Sequence, residues 1–333
     1  MNEPVLSVYD LSVDFSLPGA GLFDRARRLR AVDAVSFELQ QGETIGVVGE
    51  SGCGKSTLAR AILGLVPVSA GVVTFMAHTL TDSDRRTLRR RRRELQLIFQ
   101  DPLASLNPRM SIGRIIAEPL QVHFPDMLRK DRDGRVLKAM RQVGLTADLI
   151  NRYPHEFSGG QCQRIGIARA LVLQPKVIIC DEPVSALDVS VRAQIINLLT
   201  GLRDELGLSL VFIAHDLGVV RHISDRVMVM YLGRVVEHAP AQSLFDSPSH
   251  PYTRALIAAM PVADPKVQRG RPKAELTGEV PSPLSPPSGC TFRTRCPWAA
   301  AKCAATAPAL RSFSEGEAAC HRLEEIRDTQ ATS

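Results

Sequence analysis

The fold of this chain is decided by residues 49–56, which read Gly49-Glu50-Ser51-Gly52-Cys53-Gly54-Lys55-Ser56. This is the spacing of the phosphate-binding loop G-x-x-x-x-G-K-S. The apolar run Thr44–Val48 precedes the loop, and a helix-compatible stretch, 57–65, follows it. Because loop N–H groups and the start of a helix both attract anions, the segment predicts a site for nucleotide phosphates. The alternative is a Gly- and Ser-rich turn that binds nothing, which the flanking strand and helix disfavour.

Two residues of the loop have predicted roles, and a second motif supplies acids. Lys55 is placed to hold the β- and γ-phosphates, and the Ser56 hydroxyl to hold Mg²⁺. The apolar run 177–180, typical of a buried parallel strand, ends in Asp181 and Glu182, where ligands bind in open α/β sheets. We expect Asp181 to bind Mg²⁺ and Glu182 to orient and deprotonate a water molecule. The alternative is a pair of surface acids that ends a core strand.

Composition indicates an ordinary globular chain. Its 333 residues are 44% hydrophobic and 23% charged, enough for about two domains. No apolar run approaches the ~18 residues that a membrane-spanning helix needs. The N-terminus has neither a basic region nor an apolar region of the secretory type, so we expect a cytoplasmic chain.

The net charge of +6 comes largely from residues 85–93, which contain seven arginines. A contact with nucleic acid or anionic lipid is one interpretation. A solvated helix face is the other, and we favour it because the run lacks interleaved aromatic residues and a DNA-reading motif.

Strands and helices alternate along the chain. We predict strands at 5–15, 34–39, Thr44–Val48, 94–100, 177–180 and 209–214, and helices at 57–65, 161–173 and 191–206. This alternation predicts an α/β fold with a largely parallel, helix-covered sheet. Residues 102–154 are helix-like but broken by prolines, which indicates a helical subdomain. Residues 261–289 carry seven prolines and are predicted to be a linker.

A third motif, Ser158-Gly159-Gly160-Gln161, precedes a predicted helix and could bind another anion. With it, the chain resembles the ATP-binding subunits of ABC transporters over roughly residues 5–325. The resemblance implies a P-loop NTPase fold, with a RecA-like core, an N-terminal antiparallel β region and an inserted helical subdomain. It implies an ABC ATPase domain at 1–260 with the subdomain at about 101–160, a linker at 261–289 and a small cysteine-bearing extension at 290–333.

The same resemblance assigns roles to further residues. Gln100 matches the glutamine loop and is expected to be a catalytic residue and, with Ser56 and Asp181, a ligand of Mg²⁺. Asp188, in Ser185-Ala186-Leu187-Asp188, matches the loop at the dimer interface, and His215 matches the switch histidine. Phe15 or Tyr9 is the candidate for stacking on adenine, with Phe15 nearer the family position, although either could be core. The remaining ATP-binding candidates are Gly49, Glu50, Ser51, Gly52, Cys53, Gly54, Thr57, Ser158, Gly159, Gly160 and Gln161.

Finer resemblance is to the oligopeptide and dipeptide importers of the peptide/nickel importer family. It is carried by segments 101–110, 184–190, 250–256 and 283–290. One departure is Cys162, where the family usually has arginine, and we expect it to alter a surface or partner contact. The segment 18–30 is variable in this family and receives no role.

The resemblance implies a subunit at the cytoplasmic face of the cell membrane that hydrolyses ATP to drive peptide import. It implies a second ATPase subunit, usually a related but different chain, two transmembrane permease subunits and an extracytoplasmic binding protein. Ser158 and Gly160 would then reach the ATP held by the partner. Nickel or another small solute is an alternative cargo. Rival classes are a soluble ABC ATPase acting on nucleic acid or the ribosome, and an iron–sulfur protein with a vestigial ATP site. We expect no nucleic acid partner.

Four of the seven cysteines cluster near the C-terminus: Cys290, Cys296, Cys303 and Cys320. In a cytoplasmic protein such a cluster favours a metal site over disulfides. The spacing lacks the close C-x2-C pairs of zinc modules. Some members of the resembling family carry a [4Fe–4S] cluster on similarly placed cysteines. We rank the cluster first, unligated cysteines second and zinc third, with His321 as a weaker candidate ligand.

Overall fold

Strand β3 (Thr44–Val48) lies inside an eight-stranded sheet in the computed structural model, which describes residues 3–17, 27–260 and 278–331. All five of its residues are buried. Strands β8 (Ser209–Ile213) and β9 (Arg226–Tyr231) pair with β3 in parallel, and β7 (Val177–Asp181) and β6 (Leu95–Ile98) continue the parallel part beyond β8. The predicted parallel sheet is therefore confirmed, because strands buried on both faces read as continuous apolar runs.

A second, antiparallel sheet has the order β2-β1-β4-β5. Its strands are β1 (Leu6–Leu17), β2 (Arg27–Leu39), β4 (Ala70–Phe75) and β5 (His78–Thr79). Strand β2 starts earlier than the predicted 34–39, so residues 27–30, which received no role, belong to a strand paired with β1. Residues 18–26 lie outside the described part. The sheet confirms the expected N-terminal antiparallel region.

The helices of the first 260 residues are α1 (Lys55–Ile62), α2 (Arg85–Arg91), α3 (Ile112–His123), α4 (Arg129–Gln142), α5 (Gly159–Leu171), α6 (Val189–Leu206), α7 (Leu217–Ile223), α8 (Ala241–Asp246) and α9 (Pro251–Ala258). Short 3₁₀ turns lie at Ala147–Asn151 and Pro154–Glu156. The three predicted helices match α1, α5 and α6 within a few residues. No described helix is both long and apolar enough to cross a membrane.

Helices α3 and α4 lie within the predicted helical subdomain and pack against α5, which follows it. The buried residues Ile112, Ile115, Ile116 and Leu120 recur at helical spacing along one face of α3. They share an apolar core with Met140 of α4 and with the buried face of α5. A second core lies on the opposite face of the parallel sheet, where α1 packs between the two sheets.

The C-terminal segment packs directly on this body. Strands β11 (Arg311–Phe313) and β12 (Gly316–Ala318) join the eight-stranded sheet, where β12 pairs with β10 (Arg234–Pro240). Short helices lie at Ala301–Ala305 and Leu323–Ala331. Phe292 is only 1% exposed, and its ring centroid lies 5.3 Å from that of Tyr231 and 5.4 Å from that of Tyr252. The extension therefore shares the main core.

Part of the arginine run serves the fold. Arg92 donates hydrogen bonds to the carbonyls of Leu63 and Gly64, at 3.0 and 2.9 Å. The guanidinium of Arg93 lies 4.7 Å from the ring centroid of Phe124. Four of the arginines, Arg85, Arg86, Arg89 and Arg90, are exposed, as a solvated helix face requires.

The expectation for Cys162 was wrong. Its side chain is fully buried in α5, and its sulfur lies 3.6 Å from the carbonyl oxygen of Pro154. The residue thus packs against the helical subdomain and makes no surface contact, because helix α5 turns this position toward the core.

Two buried histidines make stability depend on pH. Burial lowers the pKa of His250 to about 3 and that of His238 to about 4. In the unfolded chain both pKa values return to about 6.5, so below that pH the unfolded state binds protons that the folded state does not. We expect this share of stability to be complete above about pH 6.5 and to decline below it, by up to ~1.4 kcal/mol per pH unit for each histidine.

The variant His250→Asn isolates one of these contributions. The Nδ1 atom of His250 accepts the N–H of Tyr252 at the start of α9, and asparagine can cap a helix in the same way without titrating. Urea unfolding at about pH 7 and pH 5 measures the free energy of unfolding of both proteins. The variant should lose less stability on acidification, and an equal loss in both proteins would contradict the assignment.

Candidate nucleotide-binding site

A cleft of about 580 Å³ opens at the carboxyl ends of β3, β7 and β8. Its walls bring together the phosphate loop, the end of β6, the acid that follows β7 and the histidine that follows β8. The predicted site residues that line it are Phe15, Ser51, Gly52, Gly54, Lys55, Ser56, Thr57, Gln100, Glu182 and His215. Parallel pairing explains this convergence, since all these strands end at the same edge of the sheet.

The phosphate loop has the backbone that its glycines permit. Gly49 has φ of 154° and Gly54 of 105°, both in the region that side chains avoid. A Cβ on Gly49 would lie 2.2 Å from the carbonyl oxygen of Met230, and one on Gly54 would lie 2.1 Å from that of Ala31. The Lys55 ammonium donates to the carbonyls of Gly49 and Glu50, at 2.8 and 3.1 Å. The loop therefore closes around the ammonium group of Lys55.

Cys53 lies inside this loop. Its side chain is 4% exposed, and its sulfur is 3.8 Å from Lys55 Nζ. Burial raises the pKa of this thiol, so it is held in the neutral form. Cys53 therefore contributes to the loop as a small packing group.

Ser56 lines the cleft, and the buried Asp181, which is not one of the wall residues, lies directly behind it. The Ser56 hydroxyl donates to Asp181 Oδ1 at 2.7 Å. Burial raises the pKa of Asp181, and the hydrogen bond from Ser56 acts in the opposite direction. One carboxylate and one hydroxyl beside a phosphate loop are the donors that Mg²⁺ uses when phosphate oxygens and water complete its shell. The residues present thus fit the predicted magnesium site.

Glu182 lies between the two other predicted catalytic residues. Its Oε2 accepts a hydrogen bond from Gln100 Nε2 at 3.2 Å and lies 3.1 Å from His215 Nδ1. The residue has φ of 47°, a left-handed conformation that is strained for glutamate, and its N–H is bound by the carbonyl of Ile213 at 3.0 Å. The fold thus turns this carboxylate toward the cleft at a backbone cost.

The structure distinguishes the two aromatic candidates. Phe15 lines the cleft. Tyr9 does not line it and is 67% exposed on the same strand. Of the two candidates, Phe15 is therefore the one that lies at the cleft.

The glycine-rich motif at 158–161 lies elsewhere. Ser158 caps α5, where its hydroxyl accepts the N–H of Gln161 at 3.3 Å, and the Gln161 side chain accepts the N–H of Ser158 at 3.0 Å. Neither this motif nor Asp188 contributes to the walls of the cleft. Ser158, Gln161 and Asp188 are exposed, whereas Gly160 is buried, and a Cβ there would lie 2.4 Å from Val191 Cγ1.

Several wall residues had no sequence signal. The strand residues Leu29, Arg30 and Ala31, the turn residues Leu232 and Gly233, and Pro283 from the C-terminal segment complete the cleft. Residues 29 and 30 fall in the segment that received no role, and Pro283 falls in the predicted linker. A residue that lines the cleft only because the fold brings it there carries no recognisable sequence motif.

The four C-terminal cysteines are free and occupy one region. Burial raises the pKa of Cys296 to about 12, and the nearby thiols of Cys320, Cys290 and Cys303 also raise it. The sulfur of Cys320 accepts the N–H of Arg322 at 3.4 Å. Within the described ranges, no three Cys, His, Asp or Glu side chains are arranged as a metal-binding group. The structure gathers the thiols without arranging them as ligands.

Two families match the chain. Residues 32–185 match the family described as ABC transporter. Residues 236–303 match the family described as oligopeptide/dipeptide transporter, C-terminal region. The first match contains the phosphate loop, Gln100, the 158–161 motif and both acids. The second contains most of β10, all of α8 and α9 and three of the four clustered cysteines, and it ends at Cys303.

Relatives match nearly the whole chain. The oligopeptide transport ATP-binding protein OppF of Salmonella typhimurium is 54% identical over 97% of this chain and 97% of its own. The dipeptide transport ATP-binding protein DppF of Haemophilus influenzae is 48% identical over 97% of this chain and 98% of its own. Among solved structures, a dimer of the ATP-binding cassette MJ0796 bound to ADP and Pi superimposes with a TM-score of 0.63 at 28% identity, covering 71% of this chain and 98% of that one.

The two aromatic candidates form a matched pair for a test of base stacking. Phe15→Ala should weaken ATP binding by roughly tenfold, since stacking of one base on an aromatic ring contributes about 1–3 kcal/mol. Tyr9→Ala removes an exposed ring from the same strand and should leave ATP binding unchanged. Titration of each full-length variant with a fluorescent ATP analogue measures both dissociation constants. Equal affinities for the two variants would remove Phe15 from the site.

Proposed function

Because the chain belongs to the ATP-binding subunits of oligopeptide and dipeptide ABC transporters, we propose that ATP hydrolysis in its cleft drives the import of peptides. The observation that carries this proposal is the meeting of Lys55, Glu182 and His215 in one cleft. A phosphate-holding lysine, a carboxylate base and its histidine partner are the groups that phosphoryl transfer to water requires.

In the proposed site, loop N–H groups and Lys55 hold the phosphates of ATP. Ser56 and Asp181 would hold Mg²⁺, with Gln100 beside them, and the ion would neutralise charge on the phosphates. Lys55 would exchange its bonds to the carbonyls of Gly49 and Glu50 for bonds to phosphate oxygens. Thr57, the third residue of α1, lies at the same wall.

Glu182 is the proposed general base. Its carboxylate faces the cleft, where it would accept the proton of the water that attacks the γ-phosphate. Gln100 and His215 each contact the same oxygen, Oε2, so the other oxygen is left to the water. His215 would thus orient the base and report the presence of the γ-phosphate.

The 158–161 motif would complete a second site on another chain. Ser158 and Gln161 at this helix start are exposed, and the start of a helix suits the γ-phosphate of an ATP molecule held by a partner subunit. The similarity to a dimeric cassette supports this arrangement. Asp188, at the exposed start of α6, would lie at the same dimer interface. ATP would then close the dimer and hydrolysis would reopen it.

From its family membership, we propose that the chain works as one subunit of a complete transporter. The transporter comprises a second, related ATPase subunit, two permease subunits and an extracytoplasmic binding protein, with this chain held at the cytoplasmic face of the membrane. The division into an ATPase domain (1–260), a linker (261–289) and an extension (290–333) belongs to the same proposal. Co-purification of the chain with permease subunits from detergent-solubilised membranes tests it, and ATPase activity that requires RNA or DNA instead would refute it.

A [4Fe–4S] cluster on Cys290, Cys296, Cys303 and Cys320 remains a proposal. Four free thiols in one region are the donors that such a cluster uses, and it would cross-link the extension. The thiols as placed do not form a metal-binding group, and they would have to converge on binding. Iron and acid-labile sulfide in anaerobically purified protein would support the cluster. Zinc alone, or no metal, would exclude it.

The proposed base predicts a specific phenotype for Glu182→Gln. The glutamine keeps the size and polarity of the side chain but cannot accept a proton at neutral pH. ATP binding should persist, turnover should fall by at least ~100-fold, and an ATP-bound dimer should accumulate. Steady-state phosphate release and size-exclusion chromatography with ATP measure these effects in the reconstituted ATPase pair.

Two further variants complete the test: one is a control for the chemical change, and the other tests the shared site. Glu205→Gln makes the same chemical change on the exposed face of α6 and should leave turnover intact. Ser158→Ala should leave ATP binding to the isolated chain unchanged but lower turnover of the pair. Full turnover in Glu182→Gln would remove this residue as the base, and full turnover in Ser158→Ala would remove the shared site.

A further inference from the structure

Glu50, the second residue of the phosphate loop, is bound by the extension that carries the cysteines. Arg295 Nη1 donates to Glu50 Oε2 at 2.7 Å, and Nη2 donates to Oε1 at 3.0 Å. Two parallel bonds of this kind fix the guanidinium and the carboxylate in one plane. The contact joins positions that are 245 residues apart, so the far end of the chain reaches the loop predicted to bind ATP.

The pair is shielded from solvent. The Arg295 side chain is 5% exposed and that of Glu50 is 25% exposed. Salt screens such a pair much less than it screens a surface ion pair. The Arg295 guanidinium also lies 6.0 Å from the ring centroid of Tyr231, and its backbone N–H donates to the carbonyl of Phe292 at 3.0 Å. Arg295 is therefore held by the core of the extension and presents a fixed partner to the loop.

The other polar groups of Glu50 are also bound. Its N–H donates to the hydroxyl of Tyr252 at 2.9 Å, and Tyr252 is fully buried. Its carbonyl accepts a hydrogen bond from Lys55 at 3.1 Å. Arg295, Tyr252 and Lys55 thus fix the carboxylate, the amide and the carbonyl of one residue. Because Lys55 is the proposed phosphate ligand, the orientation of Glu50 affects the position of the Lys55 ammonium group.

The charge of Glu50 would otherwise oppose the ligand. A carboxylate in a phosphate-binding loop repels the anionic phosphates, and this repulsion is strong where water is partly excluded. The guanidinium of Arg295 cancels that charge and leaves the N–H groups and Lys55 to set the field in the loop. The same contact fixes the first turn of the loop before α1 begins.

We infer that Arg295 is a positioning residue for ATP binding, which holds and neutralises Glu50 so that the phosphate loop keeps its anion-binding shape. The inference rests on the proposed ATP site at 49–57. It gives the extension a part in the ATP cycle.

The test compares two arginines of the extension. Arg295→Met keeps much of the side-chain length but leaves Glu50 half-buried and unpaired. Arg311→Gln breaks another two-bonded pair, to Glu324 at 2.7 and 2.8 Å, that does not touch the loop. ATP affinity of the full-length chain, measured by calorimetry with Mg²⁺, should fall about tenfold in Arg295→Met and stay unchanged in Arg311→Gln. Thermal midpoints are recorded for both variants.

A rescue experiment separates positioning from general stability. Adding Glu50→Gln to Arg295→Met removes the unpaired charge and should restore most of the lost affinity, so the two changes should be strongly non-additive. Arg295→Lys keeps the positive charge but lacks the two parallel N–H donors of the guanidinium, so it should weaken ATP binding by about threefold. It also provides the test if Arg295→Met does not fold. Unchanged ATP affinity in Arg295→Lys and Arg295→Met would overturn the inference, whatever the thermal midpoints.

Lys55→Met distinguishes this failure from failure of the site itself. Lost binding in Lys55→Met together with full affinity in Arg295→Met would overturn the positioning role alone. Full affinity in Lys55→Met would overturn the proposed ATP site, and the role of Arg295 would fall with it.

Discussion

Parallel pairing of β3 with β8, and of β8 with β7, is the constraint on which the site depends. The registers Val47 to Ile213 and Asp181 to Ile213 bring three strands to one edge of the sheet. The loop that follows each strand then delivers one kind of group: an anion-binding turn, a pair of acids and a histidine. No single segment contains the site, so the cleft is a product of the core packing that holds these strands in register.

The acids of the cleft illustrate how the fold prepares reactive groups. Asp181 is buried beside a hydroxyl, in a place where a cation would replace the lost hydration. Glu182 has a strained backbone and faces the opening. Asp181 and Glu182 therefore have different environments although they are adjacent, because β7 ends between them and the chain turns sharply at that point.

Motifs with local chemistry could be predicted from the sequence, and the contacts between distant segments could not. Strands β3, β7 and β8 were recognised because buried strands are continuous apolar runs. The position of Phe15 followed only from the structure, since Tyr9 fits the same alternating pattern. The pair of Arg295 with Glu50 has no local signature, because a charged residue that pairs across the fold looks like any surface charge in the sequence. Cys162 was misjudged for the related reason that its burial depends on tertiary packing.

Strand β12 has a consequence for solubility. By pairing with β10 at Glu237 and His238 it covers part of a strand that would otherwise end the large sheet, and the three-residue β11 then forms this edge. Long unpaired margins invite association between molecules, and short ones resist it. A chain cut before residue 290 would expose β10 together with the rings of Tyr231 and Tyr252, so such a fragment would tend to self-associate.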